Sequence, residues 1–261
     1  MAKSGGGNNH HAACEDAAAM VSCAMLADHD LPLNPHRQTE IRTLGEEGSP
    51  LIIIDDALAR TDALLQYAKD TAFTSEEGPG NFFPGVRAAL PRAYARAMLK
   101  LLAPHLPLFG VPEEPAPQVV LNTLQMVTRA AEDLVLPQRA PHFDTFDGQQ
   151  IALLHYLTED DQGGTDFYRH RSTGFERISA ERFRPYTTKL VEEVKAKDLP
   201  KAYMAGSDDK YECIESVLPR FNRVIAYFSN NLHSGRIEGQ GPFPADVRTG
   251  RLMATVFARF G

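Results

Sequence analysis

Two short stretches carry residue types that could do chemistry: Pro141-His142-Phe143-Asp144 and, 89 residues beyond that aspartate, Leu232-His233-Ser234-Gly235. A His and an Asp two apart on an extended segment point to the same side, because side chains alternate along a strand. Two imidazoles and one carboxylate make a facial triad. That donor set holds Fe(II) and leaves positions open for a co-substrate and O₂. A lone His-x-Asp is more commonly a surface pair, so the weight falls on the elements that would position it.

Those elements divide the chain. Residues 1 to about 48 read as a tail, with a Ser4-Gly5-Gly6-Gly7-Asn8-Asn9 run, a short helix at most over Ala12–Leu26, and His10-His11 as a disordered end. Order is expected from Pro50. Leu51-Ile52-Ile53-Ile54 is an apolar strand, and Thr61-Asp62 open a helix to about Thr71 with Leu64, Leu65 and Ala68 on one face. A Gly/Pro-rich loop runs from Gly78 to Gly85. Pro91 can begin a second helix, whose stripe is Tyr94, Met98, Leu101 and Leu102. Pro112 to Pro117 reads as a linker. Strands are then expected over 119–127, 151–157, 211–217, 223–228 and 251–260, and after the Gly163-Gly164 turn. An acidic turn, Glu159-Asp160-Asp161, follows the second of these. A charge-rich helical insertion at about 175–206 interrupts them, with Leu190, Val191 and Val194 on one side. Two helices followed by spaced strands indicate an α+β domain, residues 49–261, with a β-sandwich core.

Composition narrows the function. A net charge of −7 argues against a nucleic-acid-binding surface. Cys14, Cys23 and Cys213 are scattered, which excludes a disulfide framework and suits a reducing, cytoplasmic compartment. No apolar run approaches a membrane span. The expected partner is a small-molecule or peptide substrate.

From about residue 120 onward the chain resembles the iron(II)/2-oxoglutarate-dependent dioxygenases, in particular the prolyl-4-hydroxylase-like branch. The resemblance rests on five ordered pieces: His142-Phe143-Asp144; Leu154-His155-Tyr156-Leu157; Gly163-Gly164-Thr165-Asp166-Phe167; Val217 through His233; and Arg251 through Phe257. Pro84-Gly85-Val86-Arg87 and Phe167-Tyr168-Arg169-His170-Arg171 are similar to a bacterial subfamily. The resemblance implies a double-stranded β-helix, the jelly-roll or cupin-like core, with N-terminal flanking helices. It implies a metal held by His142, Asp144 and His233, with Fe(II), 2-oxoglutarate and O₂ as cofactors. Hydroxylation of an unactivated C–H would release succinate and CO₂, and the presence of Asp144 favours it over halogenation. Tyr156, Arg251 and Thr255 fall at the positions that bind 2-oxoglutarate, where a guanidinium meets the far carboxylate. The 18 residues between His233 and Arg251 leave Arg236 and Arg248 as rivals.

Several readings stay paired. Arg169, His170 and Arg171 could bind an anionic substrate group or pair with Glu176 or Asp166. Arg87 reads as a loop anchor that could reach the barrel mouth. His155 should point away from the site, as a core histidine. Asn231 could orient His233. The 175–206 insertion could wall the site, with Arg182, Arg184 and Lys189 toward substrate, or cover a sheet edge. The alternative to an enzyme is a metal-binding jelly roll that binds ligand without turnover.

Overall fold

A computed structural model of the chain describes residues 26–75, 82–111, 116–158 and 163–261. The glycine-rich run, the Ala12–Leu26 helix up to residue 25, His10, His11, Cys14, Cys23 and the acidic turn at 159–161 lie outside those residues, as do residues 78–81 of the Gly78–Gly85 loop and 112–115 of the Pro112–Pro117 linker.

Among the described residues ten strands form two sheets: β1 (Gln38–Leu44), β2 (Ser49–Asp55), β3 (Gly85–Ala89), β4 (Gln118–Val127), β5 (Gln150–Tyr156), β6 (Thr165–His170), β7 (Tyr211–Val217), β8 (Arg223–Phe228), β9 (His233–Gly235) and β10 (Leu252–Arg259). The larger has the order β1-β2-β8-β5-β10-β4-β3, the smaller β7-β6-β9. Every pairing is antiparallel. Three α-helices accompany them among those residues: α1 (Asp62–Asp70), α2 (Arg92–Leu102) and α3 (Ala180–Ala196). The class is α+β. No helix among the described residues is long and apolar enough to cross a membrane.

Alternation along the strands builds the layers. Leu153, Val224, Ala226, Leu252, Ala254 and Val256 turn to one face of the large sheet and pack on Leu64 of α1 and Tyr94, Met98, Leu101 and Leu102 of α2. The alternate residues Ala152, Leu154, Tyr156, Ile225, Tyr227 and Met253 turn to the other face and meet Phe167 and Val217 of the small sheet. The central strands are therefore buried on both faces, which is why they read as continuous apolar text. α3 covers the outside of the small sheet, where Tyr186, Leu190 and Val194, four residues apart, pack on Tyr168 and Tyr211.

β1 corrects the expectation that order begins at Pro50: residues 38–44 pair along the whole of β2. Their text gave no signal because β1 is an edge strand with only Leu44 buried. Gly163 and Gly164 are dictated by close approach. A Cβ on Gly163 would lie 1.7 Å from the Arg236 carbonyl oxygen, and one on Gly164 1.8 Å from that of Val217.

Asp55 clamps the end of β2 to β8, accepting from Arg223 Nε at 2.6 Å and Nη2 at 3.0 Å and from Arg220 Nη1 at 3.0 Å. The Arg223 hydrogen bond, against the opposing effect of burial, holds its carboxyl below the ordinary value. A depressed carboxylate adds stability above the unfolded pKa and loses it as pH falls through the folded one. Asp55→Asn should therefore lower stability by about 1–3 kcal/mol at pH 7. Urea unfolding should show that gap narrowing toward pH 2.5; an equal gap at both pH values refutes the clamp.

Candidate metal centre

The site is set by one backbone pair. His142 and His233 form an isolated antiparallel bridge, each N–H donating to the other's carbonyl at 2.8 Å. Residues directly opposite in such a pair project to the same side. Their rings accordingly lie with centroids 4.3 Å apart. Asp144, two residues on, is fixed by its N–H to the Ser229 carbonyl at 2.8 Å. Its Oδ1 lies 3.7 Å from His142 Nε2 and its Oδ2 3.8 Å from His233 Nε2. One ligand atom from each residue falls within 4.8 Å of the other two.

Protonation suits a cation. His233 Nδ1 lies 2.9 Å from the Asn231 carbonyl oxygen. A carbonyl can only accept, so Nδ1 carries the hydrogen and Nε2 keeps its lone pair toward Asp144. Asn231 thus orients His233 through its backbone, not its side chain. Burial lowers the His233 imidazole to about 4, against the raising effect of that hydrogen bond. His142, whose side chain is half-exposed, is also lowered to about 4, by burial and then by repulsion from His233, against the attraction of Asp144. Burial pushes Asp144 up to about 6, against the attraction of His142 and Arg87. Above that pH the cluster is two neutral imidazoles and a carboxylate, the state that ligates metal. Asp144 Oδ2 is buried without a hydrogen-bond partner among the described residues. The donor set fits a divalent ion.

The residues expected around a co-substrate share the space between the sheets. His233 and Gly235 lie on one face of β9; a Cβ on Gly235 would be 3.6 Å from Arg251 Nη2. Arg251, buried, donates from Nη2 to the Gly164 carbonyl at 2.8 Å and from Nε to that of Gly163 at 3.4 Å. It has no carboxylate partner among the described residues, and burial lowers its pKa. Its two rivals are placed otherwise. Arg236 lies 3.8 Å from Asp166 and 3.5 Å from Glu238, and Arg248 lines a separate groove with Lys69 and Val86. Tyr156 stands opposite Met253 and shares a 2.7 Å hydrogen bond with Thr165, which is opposite Gly235. Thr255 faces the same way, its Oγ1 buried and without a partner among the described residues.

Two further side chains border the cluster. Tyr227 sets its ring edge-on to His233 at 5.0 Å, with a buried hydroxyl that has no partner among the described residues. Its parity with Ile225 on β8 would have placed it on this face. Arg87 lies on β3 opposite Gln125, stacks over Phe83 at 4.7 Å, and is close enough to Asp144 to stabilise the carboxylate. The other expectations resolve into structure. His155 faces the helices, between Tyr94 at 3.0 Å and Asn222 at 3.1 Å. Arg169 pairs with buried Glu176 at 2.6 Å, and His170 is buried against Glu193 at 3.0 Å. Arg182 donates to Glu47 at 2.6 Å, and Lys189 lies 3.5 Å from Glu192. Beyond α3 the chain returns to the site's edge, where Tyr203 donates to the Arg129 carbonyl and Gly206 N–H to Asp166.

Fold and site together define an antiparallel two-sheet α+β protein with a cluster able to hold a metal between its sheets. The chain belongs to DUF6445, a family of unknown function whose model matches residues 35–258. No curated protein matches it. Among solved structures it is similar to HygX from Streptomyces hygroscopicus, with nickel and 2-oxoglutarate bound, at 14% identity and a TM-score of 0.41, covering 80% of this chain and 82% of that one. It is also similar to the non-heme alpha-ketoglutarate-dependent carbocyclase SnoK from nogalamycin biosynthesis, at 10% identity and 0.36, covering 80% and 79%. A third is an N-substituted L-amino acid dioxygenase from Burkholderia ambifaria AMMD, in complex with alpha-ketoglutarate, at 15% identity and 0.37, covering 82% and 87%. These likenesses are distant.

A buried hydroxyl with no partner is a net cost to the fold. Thr255→Val removes it at nearly constant volume. The ligand-free variant should be about 1–2 kcal/mol more stable than the parent by urea unfolding; a loss of stability would show that Oγ1 is satisfied.

Proposed function

We propose that the chain is an iron(II)- and 2-oxoglutarate-dependent dioxygenase of the prolyl-4-hydroxylase-like branch, a hydroxylase on a double-stranded β-helix core. One observation carries the reading. A His-Asp-His cluster and a buried guanidinium without a carboxylate partner face the same inter-sheet space, two residues apart along β9. A metal with a dicarboxylate beside it answers both requirements at once.

In this reading His142, Asp144 and His233 hold the iron. Bound there, iron with 2-oxoglutarate and O₂ supplies the oxidant that converts an unactivated C–H to C–OH, giving succinate and CO₂. Arg251 binds the far carboxylate as a permanently charged donor. Thr255 Oγ1 donates to the same group. Tyr156 donates its phenol, whose pKa burial raises, so it stays protonated at neutral pH. Met253, Phe167 and Tyr227 exclude water around the reacting atoms. The 175–206 insertion, through α3 and the Tyr203 segment, forms a side wall of the site. We take the domain to begin with β1, and we set it in the cytoplasm on the three scattered cysteines of the sequence.

Under anaerobic conditions, Fe(II) plus 2-oxoglutarate should give a weak visible charge-transfer band in the parent and none in His142→Ala. Under air the parent should form succinate without added substrate. Absence of both in the parent refutes the proposal.

Arg251→Gln truncates one member of a buried charge pair. 2-Oxoglutarate should bind on the order of 30-fold or more weaker, since such losses amount to ~2–5 kcal/mol. Mn(II) affinity without co-substrate should stay unchanged. Equal 2-oxoglutarate affinity in Arg251→Gln and loss of it in Arg236→Gln or Arg248→Gln would reassign the residue.

A further inference from the structure

The inner face of the large sheet carries polar side chains that neither the metal nor the co-substrate uses. Leu124 and Met126 of β4 and Ala88 of β3 pack among the helices. Their strand neighbours Thr123, Gln125 and Arg87 therefore turn the other way, toward the space between the sheets. Register gives the same side. Arg87 stands opposite Gln125, Gln125 opposite Met253, and Met253 opposite Tyr156. Met253 and Tyr156 belong to the inter-sheet core. Thr123 stands opposite Thr255, one inward row further on.

Strand order sets this group across from the metal ligands. β6 lies over β5, since Thr165 meets the Tyr156 hydroxyl at 2.7 Å. β9 lies over β10, since Gly235 faces Arg251. His142 pairs with the edge of β9 that β6 does not use. The next strands outward in the large sheet are β4 and β3. The His142–Asp144 segment thus lies over them. Phe143, between the two ligands, turns away and packs with Tyr168 and Leu232 under α3, where the rings of Phe146 and Phe183 adjoin it. His142 and Asp144 therefore face the large sheet. In keeping with this, the charge of Arg87 opposes the upward push of burial on the Asp144 carboxyl. The cluster also opens on this outer segment. The His142 side chain is 52% exposed, against 6% for that of His233. Arg87, half-buried on the edge strand β3, stands at that margin.

The three side chains offer one kind of chemistry. Arg87 presents a planar fork of N–H donors with a permanent charge, its plane stacked over Phe83 at 4.7 Å. Gln125, buried, adds an amide. Thr123 adds a hydroxyl whose Oγ1 is buried with no partner among the described residues. A carboxylate can accept from all three. A purely apolar group placed there would leave the Thr123 hydroxyl unmet.

We propose that Arg87, Gln125 and Thr123 form an anion subsite beside the metal cluster, and that the substrate is an organic acid held there by its carboxylate. This inference rests on the metal-site reading of His142, Asp144 and His233. It divides the work of two arginines: Arg251 on β10 holds the co-substrate, and Arg87 on β3 holds the substrate.

The test uses the full chain loaded with Mn(II) and saturating 2-oxoglutarate, which occupies Arg251. Trifluoroacetate is the carboxylate probe and trifluoroethanol its neutral counterpart, both followed by ¹⁹F transverse relaxation. Trifluoroacetate should broaden saturably and trifluoroethanol should not. Broadening should be much larger with Mn(II) than with diamagnetic Zn(II). Arg87→Gln should weaken trifluoroacetate binding on the order of 10-fold, with Arg87→Lys in between. Gln125→Ala and Thr123→Val should each weaken it about 3-fold. Arg248→Gln, which removes the same charge from a separate groove, should not. 2-Oxoglutarate affinity by calorimetry should stay at the parent's value in Arg87→Gln. No saturable response, an equal response from trifluoroethanol, or a response unchanged in Arg87→Gln overturns the subsite. A matching loss of 2-oxoglutarate affinity in Arg87→Gln overturns it too, by assigning Arg87 to the co-substrate. Equal broadening with Mn(II) and Zn(II) overturns its place beside the metal. Failure of the parent to retain Mn(II) by electron paramagnetic resonance overturns the metal reading instead. The same titration on metal-free Arg251→Gln protein then decides the subsite alone: a response that depends on Arg87 upholds it, and none overturns it.

Discussion

The reciprocal backbone hydrogen bonds between His142 and His233 are the constraint on which the site depends. Antiparallel pairing fixes register in steps of one residue, and a single step would send an imidazole to the opposite face. The register is held from several directions. β9 is only three residues long, so it cannot hold itself; β6 pairs along its whole length through Thr165, Asp166 and Phe167. Buried Asp166 then accepts from Ser216 Oγ at 2.5 Å and from the Gly206 N–H at 2.9 Å. The short ligand strand thus inherits its position from a longer one, and the longer one is tied down at its carboxylate.

Between the sheets the protein holds polar groups that folding alone would not put there. Arg251 is buried with two carbonyls and a sulfur for partners and no carboxylate among the described residues. Asp144 Oδ2, Thr255 Oγ1 and the Tyr227 hydroxyl are buried with none. Each unmet group of this kind costs about 1–3 kcal/mol. Other buried polar side chains are answered: His155 by Tyr94 and Asn222, Glu176 by Arg169 and two backbone N–H groups. The apolar layer between the large sheet and α1 and α2 contributes burial that offsets such costs.

What the sequence made legible follows from how strongly each element is buried. β5, β8 and β10 are sealed on both faces, so their apolar runs stand out, and α2 shows its stripe because one side of it is wholly buried. β1 and β3 are edge strands, with one residue each buried, and their sequences resemble loops. The cluster His142, Asp144 and His233 could be seen because ligand types are few and their spacing is local. Arg87 was undervalued because its place depends on β3 pairing with β4, a contact across 38 residues that no local pattern encodes. Tyr227 hid inside an apolar run, where a hydroxyl at the end of an aromatic ring reads as core.

The outer layer explains why the insertion after β6 is charge-rich and yet ordered. α3 buries only Tyr186 completely, too little to hold a 17-residue helix by apolar area alone. Directional contacts supply the rest. The Tyr186 hydroxyl meets that of Tyr211 at 2.7 Å, and Glu193 receives both Ser172 and buried His170. Glu47, from the β1–β2 turn, reaches Arg182, while Glu176 receives the N–H groups of Glu46 and Glu47. These bonds join the edge hairpin of the large sheet to the helix over the small one. The two sheets are thus linked across their rim as well as through their core. α3 is held by its charges to the fold, and its first turn, carrying Phe183, meets the rings of the ligand segment from outside.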